Sequence, residues 1–282
     1  MTDPVRDDLA PADFYVGYAP RAPAALASFV RRRALGWLLA CIGLALALTA
    51  AQMPFGAGTF EYGTTRTLEG LVEEVPAPAL LVDRTRDGIG AESGAATQSR
   101  YWLVAPGKHG AAEIVAGRAG ARVRLSGTLV YRGDQTMVEV VPDSIVDLAP
   151  APRVATPGGN ALDAFEDLGA QRLVGEIVDS KCYFGVMKPG NSKPHRSCAV
   201  RCISGGIPPV LLVRTFGGDT QVYLLVSEHG TTLRDEVLDY VAEPIEVEGR
   251  VQKSGDTYVL RVPPNGITRY VGVPDRNQGH EE

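Results

Sequence analysis

The chain has 282 residues, which is long enough for two domains of ordinary size. Charged residues make up 22% of it and the formal net charge is −5, so neither a disordered chain nor a polyanion-binding protein is the default expectation. Its 32 glycines and 20 prolines favour short strands and many turns over long helices.

The first predicted element is an uncharged apolar run at residues 34–51. About 18 apolar residues are near the lower limit for crossing a bilayer core. Three arginines at 31–33 precede the run, and the next basic residue is Arg66, so the positive-inside rule predicts a cytoplasmic N-terminus and an exported remainder. A cleaved signal peptide is the alternative. The long leader favours a retained anchor in a bacterial inner membrane, with most of the chain in the periplasm.

An internal repeat follows. Residues 123–140 align without a gap with residues 245–262, so that Gly127 meets Gly249 and one Gly-Asp pair meets another. At the same offset, Tyr101 and its neighbours match the segment that begins at Tyr223. Each copy of the longer segment has the pattern of a strand, a Gly-Asp turn and a strand, which predicts a β-hairpin. Two places of similarity at one shared offset predict two copies of one fold.

The elements of both copies occur in one order. In the first copy the predicted strands lie at 68–75, 80–82 and 101–104, and a short helix at 111–116 precedes the hairpin. The second copy opens with a strand at 173–178, has another at 222–226, and continues with a helix capped by Thr232 and ended by Pro244. Three strands, a helix and two strands is the order of an OB-fold barrel.

The predicted fold is therefore mainly β, with an N-terminal transmembrane helix followed by two tandem OB-like five-stranded barrels. In chain order the predicted segments are a cytoplasmic tail at 1–33, the transmembrane helix at 34–53, a first OB-like domain at 60–147, a linker with a short helix at 148–170, a second OB-like domain at 171–272 and a tail at 273–282.

The second copy carries an insertion that its twin lacks. If Gly70 and Gly175 are equivalent, the first copy needs 31 residues to reach Tyr101, and the second needs 48 to reach Tyr223. Three of the four cysteines fall in this longer segment. Because loops that interrupt a scaffold often carry function, we expect the site here.

The spacing within the insertion favours a cluster of sulfur and nitrogen atoms. His195, Cys198 and Cys202 follow an H-x2-C-x3-C pattern, which places all three on one face of a helical turn. Cys182 and Met187 come from the preceding loop. Thiolates with an imidazole or a thioether suit a soft or borderline metal, so copper and zinc are the candidate cofactors.

Neighbouring charges would support such a site, but other cysteine chemistry fits the same pattern. Arg196 and Arg201 would lower the thiol pKa values, and Asp179 could orient the loop from behind the ligands. Exported cysteines usually form disulfides, and three cannot all pair within one chain. A structural disulfide with one leftover thiol and an exchanging thiol pair therefore remain open beside the metal site.

The stretch Gly175-x-x-x-Asp179-x-x-Cys182, continued by Cys198-Ala-x-x-Cys202-Ile-x-Gly-Gly, resembles a group of small exported bacterial OB-like domains. The resemblance covers residues 173–270 and implies a fold and a compartment more than an activity. The layout also looks like the haem chaperone of cytochrome c maturation. The histidine–tyrosine haem motif of that family is missing near the C-terminus, so its function is not carried over.

These features predict a membrane-anchored periplasmic accessory or assembly protein of a redox or electron-transport system. Its partner would be a membrane or periplasmic complex, with metal or redox chemistry at the cluster in the second domain. Motifs of phosphate binding, of serine or zinc hydrolysis and of c-type haem attachment are missing from the sequence, which favours a non-enzymatic protein. A thiol–disulfide oxidoreductase and a disulfide-stapled interaction module are the alternatives. Nucleic acid is not an expected partner, since aromatic residues are 7% of an acidic chain.

Overall fold

The computed structural model describes residues 24–52, 58–84, 97–149, 162, 165–215 and 219–271. Residues 1–23, most of the predicted linker and the predicted C-terminal tail lie outside the described residues. The chain divides into two compact units, of which the first ends at Pro54 and the second begins at Phe55.

The first unit contains the helix α1, Ala24–Gln52. Its segment Leu26–Ala51 has a mean hydropathy of 2.1 and is long and apolar enough to cross a membrane. The helix begins ten residues before the predicted anchor and includes the three arginines. Residues 24–33 are not predicted as helix because they are not continuously apolar. They are rich in alanine and arginine, which are among the strongest helix formers, so the helix includes them.

The second unit begins with a closed five-stranded barrel that is OB-like, which we call the first barrel. Strands β2 and β3 pair in antiparallel fashion, β3 pairs with β4, β4 runs parallel to β6, and β6 returns through β5 to β2. The short helix α2 lies between β4 and β5, as predicted. The elements are β1 Thr59–Phe60, β2 Arg66–Glu73, β3 Ala79–Arg84, β4 Thr97–Val104, α2 Ala112–Val115, β5 Arg122–Arg132, β6 Gln135–Val140 and β7 Val146–Ala149.

The second sheet repeats this circuit of strand pairs. Strand β8 pairs with β9, β9 pairs with β10, β10 runs parallel to β12, and β12 returns through β11 to β8. A 3-10 helix, Asp235–Tyr240, occupies the place of α2. The elements are β8 Glu166–Asp179, α3 Arg196–Ser204, β9 Pro209–Arg214, β10 Thr220–Ser227, β11 Ile245–Ser254, β12 Thr257–Val262 and β13 Ile267–Arg269.

Strand register supports the predicted alignment of the two copies. Tyr101 lies opposite Thr136 in the parallel pair of the first barrel, and Tyr223 lies opposite Tyr258 in the second sheet. These four positions share the offset read from the sequence. The two Gly-Asp turns also match, because Gly133 and Gly255 have φ values of 54° and 56°. Both turns therefore adopt the left-handed backbone that glycine tolerates.

The register also locates the insertion. Gly70 lies opposite Val123 and Gly175 lies opposite Ile245, so the two glycines are equivalent, as predicted. In the first barrel, the residue after Gly70 pairs with Leu81 of β3, which is 11 residues after Gly70. In the second sheet, the residue after Gly175 pairs with Leu212 of β9, which is 37 residues after Gly175. The additional residues therefore lie entirely between β8 and β9. The connection from β9 to β10 is shorter than that from β3 to β4, so the insertion is longer than the distances to Tyr101 and Tyr223 indicated.

Two predicted elements differ from the structure. Strand β8 begins at Glu166 rather than at residue 173, so it includes the end of the predicted linker. Thr232 does not cap the following helix. Its hydroxyl donates to the carbonyl of Pro76, a contact distant in sequence, and the helix is a 3-10 helix of six residues.

One buried hydrophobic cluster joins the first barrel to the second half of the unit, and each half also has a separate core of its own. Trp102 and Met137 from the first barrel belong to the same buried cluster as Phe184 and Ile207 of the insertion and residues of the second sheet such as Leu224. The rings of Trp102 and Phe184 meet edge to face at 6.5 Å. Because this packing buries large side chains from both sides, the insertion between β8 and β9 is held between the two halves of the unit.

Candidate functional site

The candidate site begins where strand β8 ends, at Asp179. This aspartate is fully buried, and one of its oxygens accepts a hydrogen bond from the backbone N–H of Cys182 at 2.8 Å. Its other oxygen lies 2.9 Å from Nε2 of His195. The chain between them forms a π-helical turn, Cys182–Val186, and a 3-10 turn, Lys193–His195. One carboxylate thus fixes both ends of the loop.

The insertion brings together the Cys/His cluster, which we define as Cys182, His195, Cys198 and Cys202. One donor atom each from Cys182, His195 and Cys198 lies within 4.8 Å of the other two. The same holds for Asp179, Cys182 and Cys202. Cys182 belongs to both groups and is therefore the centre of the cluster. Cys182, Cys202 and His195 are buried, and Cys198 is partly exposed.

Helix α3 produces this convergence. It begins at Arg196, directly after His195, and ends at Ser204 before Gly205 and Gly206. Positions three or four residues apart lie on one helical face, so Cys198 and Cys202 point to the same side. The predicted helical turn is confirmed, and the helix is followed by Gly206, which has the positive φ, 96°, that is common just after a helix.

A lysine from the first barrel lies against the sulfurs. Lys108 belongs to the segment 105–110, which we call the lysine loop, between β4 and α2. Its Nζ lies 2.7 Å from Sγ of Cys198 and 3.9 Å from Sγ of Cys202. The hydrogen bond to Cys198 raises the pKa of Lys108, so the ammonium keeps its charge beside the cluster.

The pKa values of the Cys182 and Cys202 thiols are shifted in opposite directions. The hydrogen bond to Cys202, together with burial, raises the pKa of Cys182. The same hydrogen bond lowers the pKa of Cys202, and the charge of Lys108 acts in the same direction. Cys182 is therefore the donor of this hydrogen bond, and Cys202 is the one of the two that ionises more readily. A thiolate is both the nucleophilic and the metal-binding form of cysteine.

The other predicted site residues lie farther out. Arg196 forms an ion pair with Glu243 rather than with a thiol. Arg201 is exposed. Met187 lies at the surface with 43% of it exposed, although its backbone N–H donates to the carbonyl of Cys182. The cation in contact with the sulfurs is thus Lys108, and neither predicted arginine takes that place.

The lysine loop is held against the insertion by a second lysine. Lys181 is 2% exposed, and its Nζ donates to the carbonyls of Ala105 at 2.9 Å and Gly107 at 2.7 Å. It also forms an ion pair with Glu139 of β6. Lys181 thus satisfies its three donors in the first barrel, which fixes the loop that carries Lys108.

Close backbone contact completes this junction. The N–H of Gly110 donates to the carbonyl of Gly205 at 2.9 Å. A Cβ on Gly205 would overlap the carbonyl oxygen of Lys108, and a Cβ on Gly110 would overlap that of Gly206. The glycines at the end of α3 therefore have a second role besides ending the helix, since they let the lysine loop approach.

Sequence reasoning missed Lys108 and Lys181. Lys108 precedes Cys198 by 90 residues and lies in an ordinary Gly-rich turn, so no local pattern distinguishes it. Lys181 is adjacent to Cys182, and its position inside the insertion was the one signal available. A lysine beside a buried cysteine must find partners, because an unpaired buried ammonium is costly.

No protein-family model and no curated protein matches the chain. Among solved structures, a deletion mutant of the single-stranded DNA-binding protein from Thermus aquaticus is similar at 14% sequence identity. The match covers 79% of this chain and 93% of that one, with a TM-score of 0.19. At that score the likeness carries no argument about the function of this chain.

Proposed function

We propose that this chain is a membrane-anchored, exported accessory or assembly protein of a redox or electron-transport system, and that its Cys/His cluster binds a soft or borderline metal ion. The observation that carries the proposal is that donor atoms of Cys182, His195 and Cys198 lie within 4.8 Å of one another. Ligands about 2.3 Å from a tetrahedral metal ion lie about 3.8 Å apart, so donor atoms within 4.8 Å of one another need to move by about 1 Å or less.

The proposed ligands are the three thiolates and the imidazole of the cluster. Thiolates select zinc or Cu(I) over hard cations such as magnesium. With Nε2 of His195 engaged by Asp179, Nδ1 is the ring nitrogen that remains for a metal. Surface-exposed Met187 is left out of the set. The aspartate would orient the imidazole, in the manner of a carboxylate–histidine–metal arrangement.

Burial favours an accessory role over catalysis. Cys182 and Cys202 are 4% and 1% exposed, and His195 is 4% exposed, so a substrate has little access to the cluster. Catalytic metal sites keep an open coordination position, whereas structural sites are closed by protein ligands. We therefore propose a site that holds a metal or passes it on through partly exposed Cys198.

The compartment and scaffold belong to the same proposal. The uncharged part of α1 and the arginines before it support an anchor in a bacterial inner membrane, with the second unit on the periplasmic side. The matching strand circuits support two tandem OB-like barrels made by duplication. The GxxxDxxC and CxxxC residues support membership of the second one in the group of small exported OB-like domains. The acidic balance does not favour nucleic acid as a partner.

Metal analysis of the full chain in mild detergent tests the proposal. The expected result is about one zinc or copper ion per chain, lost in Cys182→Ser and Cys198→Ser and retained in Cys41→Ser, which changes a cysteine of α1. Metal-free wild-type protein that takes up neither ion under reducing conditions would contradict it.

Thiol–disulfide exchange is a second candidate, favoured by the hydrogen bond between Cys182 and Cys202 and by the lowered pKa of Cys202. In that case the metal-free protein would form a disulfide reversibly, at a potential near that of the periplasmic thiol pool. A pair that is permanently oxidised would instead indicate a disulfide-stapled interaction module. Thiol titration across a redox buffer series separates these outcomes.

A further inference from the structure

The position of Lys108 links the first barrel to the cluster in the second sheet. Its ammonium is, among the described residues, the positive charge in hydrogen-bonding contact with the sulfurs of Cys198 and Cys202. Arg201 is exposed, and two other cations close to the cluster in sequence have acidic partners. Arg196 pairs with Glu243, and buried Lys181 pairs with Glu139.

We propose that Lys108 is the counter-ion of the metal centre, so that a residue of the first barrel determines how tightly the Cys/His cluster holds its metal. This inference rests on the proposed metal site and deepens it. It makes the centre a joint property of both halves of the second unit, rather than of the insertion alone.

A loaded Cys/His cluster would carry excess negative charge. Three thiolates and a neutral imidazole around a divalent ion leave one net negative charge, and around Cu(I) they leave two. Asp179, which is fully buried behind His195, adds another. Excess charge in a buried site is costly unless a charge of opposite sign compensates it. Lys108 supplies that positive charge at the sulfur edge of the cluster.

The lysine loop is held in place on both sides of Lys108. Lys181 binds the carbonyls of Ala105 and Gly107, on the N-terminal side of Lys108. Gly110, on the other side, binds the carbonyl of Gly205. The loop is thus fixed at both ends against the insertion, so its backbone is already ordered and only the side chain of Lys108 loses freedom on reaching the sulfurs.

The ammonium of Lys108 also lies beside Cys198, the partly exposed member of the cluster. A metal that reaches the buried sulfurs from that side passes the lysine. Lys108 is itself exposed, so solvent screens its charge and its contribution is smaller than that of a buried charge.

The test compares metal affinity in three variants of the full chain in detergent. Zinc and Cu(I) affinities are measured by competition with a chelator for wild type, Lys108→Met, Lys108→Arg and the control Lys188→Met, which changes an exposed lysine of the same insertion. We expect Lys108→Met to weaken binding about 10-fold, the lower end for a partner outside the ligand shell. Lys108→Arg keeps the charge and should restore most of the affinity, and Lys188→Met should match wild type.

Each outcome is decisive. Metal binding by wild type with equal affinity in Lys108→Met overturns this inference alone. Equal losses in the Met and Arg variants show that side-chain shape matters rather than charge, and also overturn it. Wild type that binds no metal overturns the proposed site and this inference together. Thermal unfolding of the metal-free variants checks that all of them fold, with Lys108→Gln as a further neutral variant.

Discussion

Asp179 accepts a hydrogen bond from the N–H of Cys182 at 2.8 Å, and its second oxygen lies 2.9 Å from Nε2 of His195. The buried carboxylate of Asp179 therefore holds both the backbone of Cys182 and the imidazole of His195 in place.

Asp179→Asn should lower metal affinity by about 10–100-fold. If the asparagine oxygen accepts from the N–H of Cys182, its amide N–H groups face Nε2 of His195. Nε2 must then accept a hydrogen bond, so the ring hydrogen moves to Nδ1. Nδ1 then has no lone pair with which to bind a metal. Chelator competition measures the loss. The control is Asp235→Asn, at an exposed aspartate. Unchanged affinity in Asp179→Asn would show that this carboxylate does not set the ring.

Thiol accessibility should follow burial. In metal-free, reduced protein with Cys41→Ser, a maleimide should modify partly exposed Cys198 before Cys182 and Cys202, which are 4% and 1% exposed. A single early modification, located by mass spectrometry of peptides, is the expected result. Added zinc should slow modification at all three positions, because a coordinated thiolate is less available. Modification of Cys202 first would contradict the buried placement of that side chain.

Lys181→Met should destabilise the second unit. The substitution keeps most of the side-chain volume but leaves the carboxylate of Glu139 and the carbonyls of Ala105 and Gly107 without their donor. Breaking a buried pair on one side costs about 3–5 kcal/mol, and Glu139 is partly solvated, so we expect about 3 kcal/mol. Urea unfolding of the full chain in detergent gives the free energy of unfolding.

Lys188→Met is the matched control for Lys181→Met, because Lys188 is exposed in the same insertion. Its expected effect is within about 0.5 kcal/mol of wild type. If the two variants unfold at the same urea concentration, the contacts of Lys181 do not contribute to the stability of the junction.

Gly205→Ala should loosen the contact between the lysine loop and α3. The added methyl would overlap the carbonyl oxygen of Lys108, so one of the two segments must move. Overpacking of this kind costs about 1–3 kcal/mol. We expect that loss in urea unfolding, together with weaker metal binding because Lys108 shifts. Gly36→Ala, at a position of α1 with open space, serves as the control.

The two Gly-Asp turns should respond alike to substitution. Gly133 and Gly255 both have a positive φ and open space around them, so alanine is disfavoured there by backbone strain alone. Gly133→Ala and Gly255→Ala should each cost about 1–2 kcal/mol. Asparagine, which tolerates this conformation, should cost less at both positions. Unequal costs, measured by urea unfolding, would show that the two hairpins are not equivalent.

Local patterns in the sequence determined much of this protein. The uncharged run predicted a helix that could span a membrane, and the shared offset predicted two sets of strands whose registers coincide. The spacing of His195, Cys198 and Cys202 predicted a helical face that carries the cluster. These features depend on periodicity, turn residues and spacing within short segments, which a sequence displays directly.

The tertiary structure alone decided which charges meet the cluster. Arg196, adjacent to His195, pairs with Glu243, while Lys108, 90 residues before Cys198, contacts the sulfur. Thr232 likewise donates to Pro76 of the first barrel instead of capping its own helix. The partner of a polar side chain is decided by which segments pack against each other, and these segments can be distant in sequence. That packing is set by the shared core and the glycine contacts of the junction, not by neighbours in sequence.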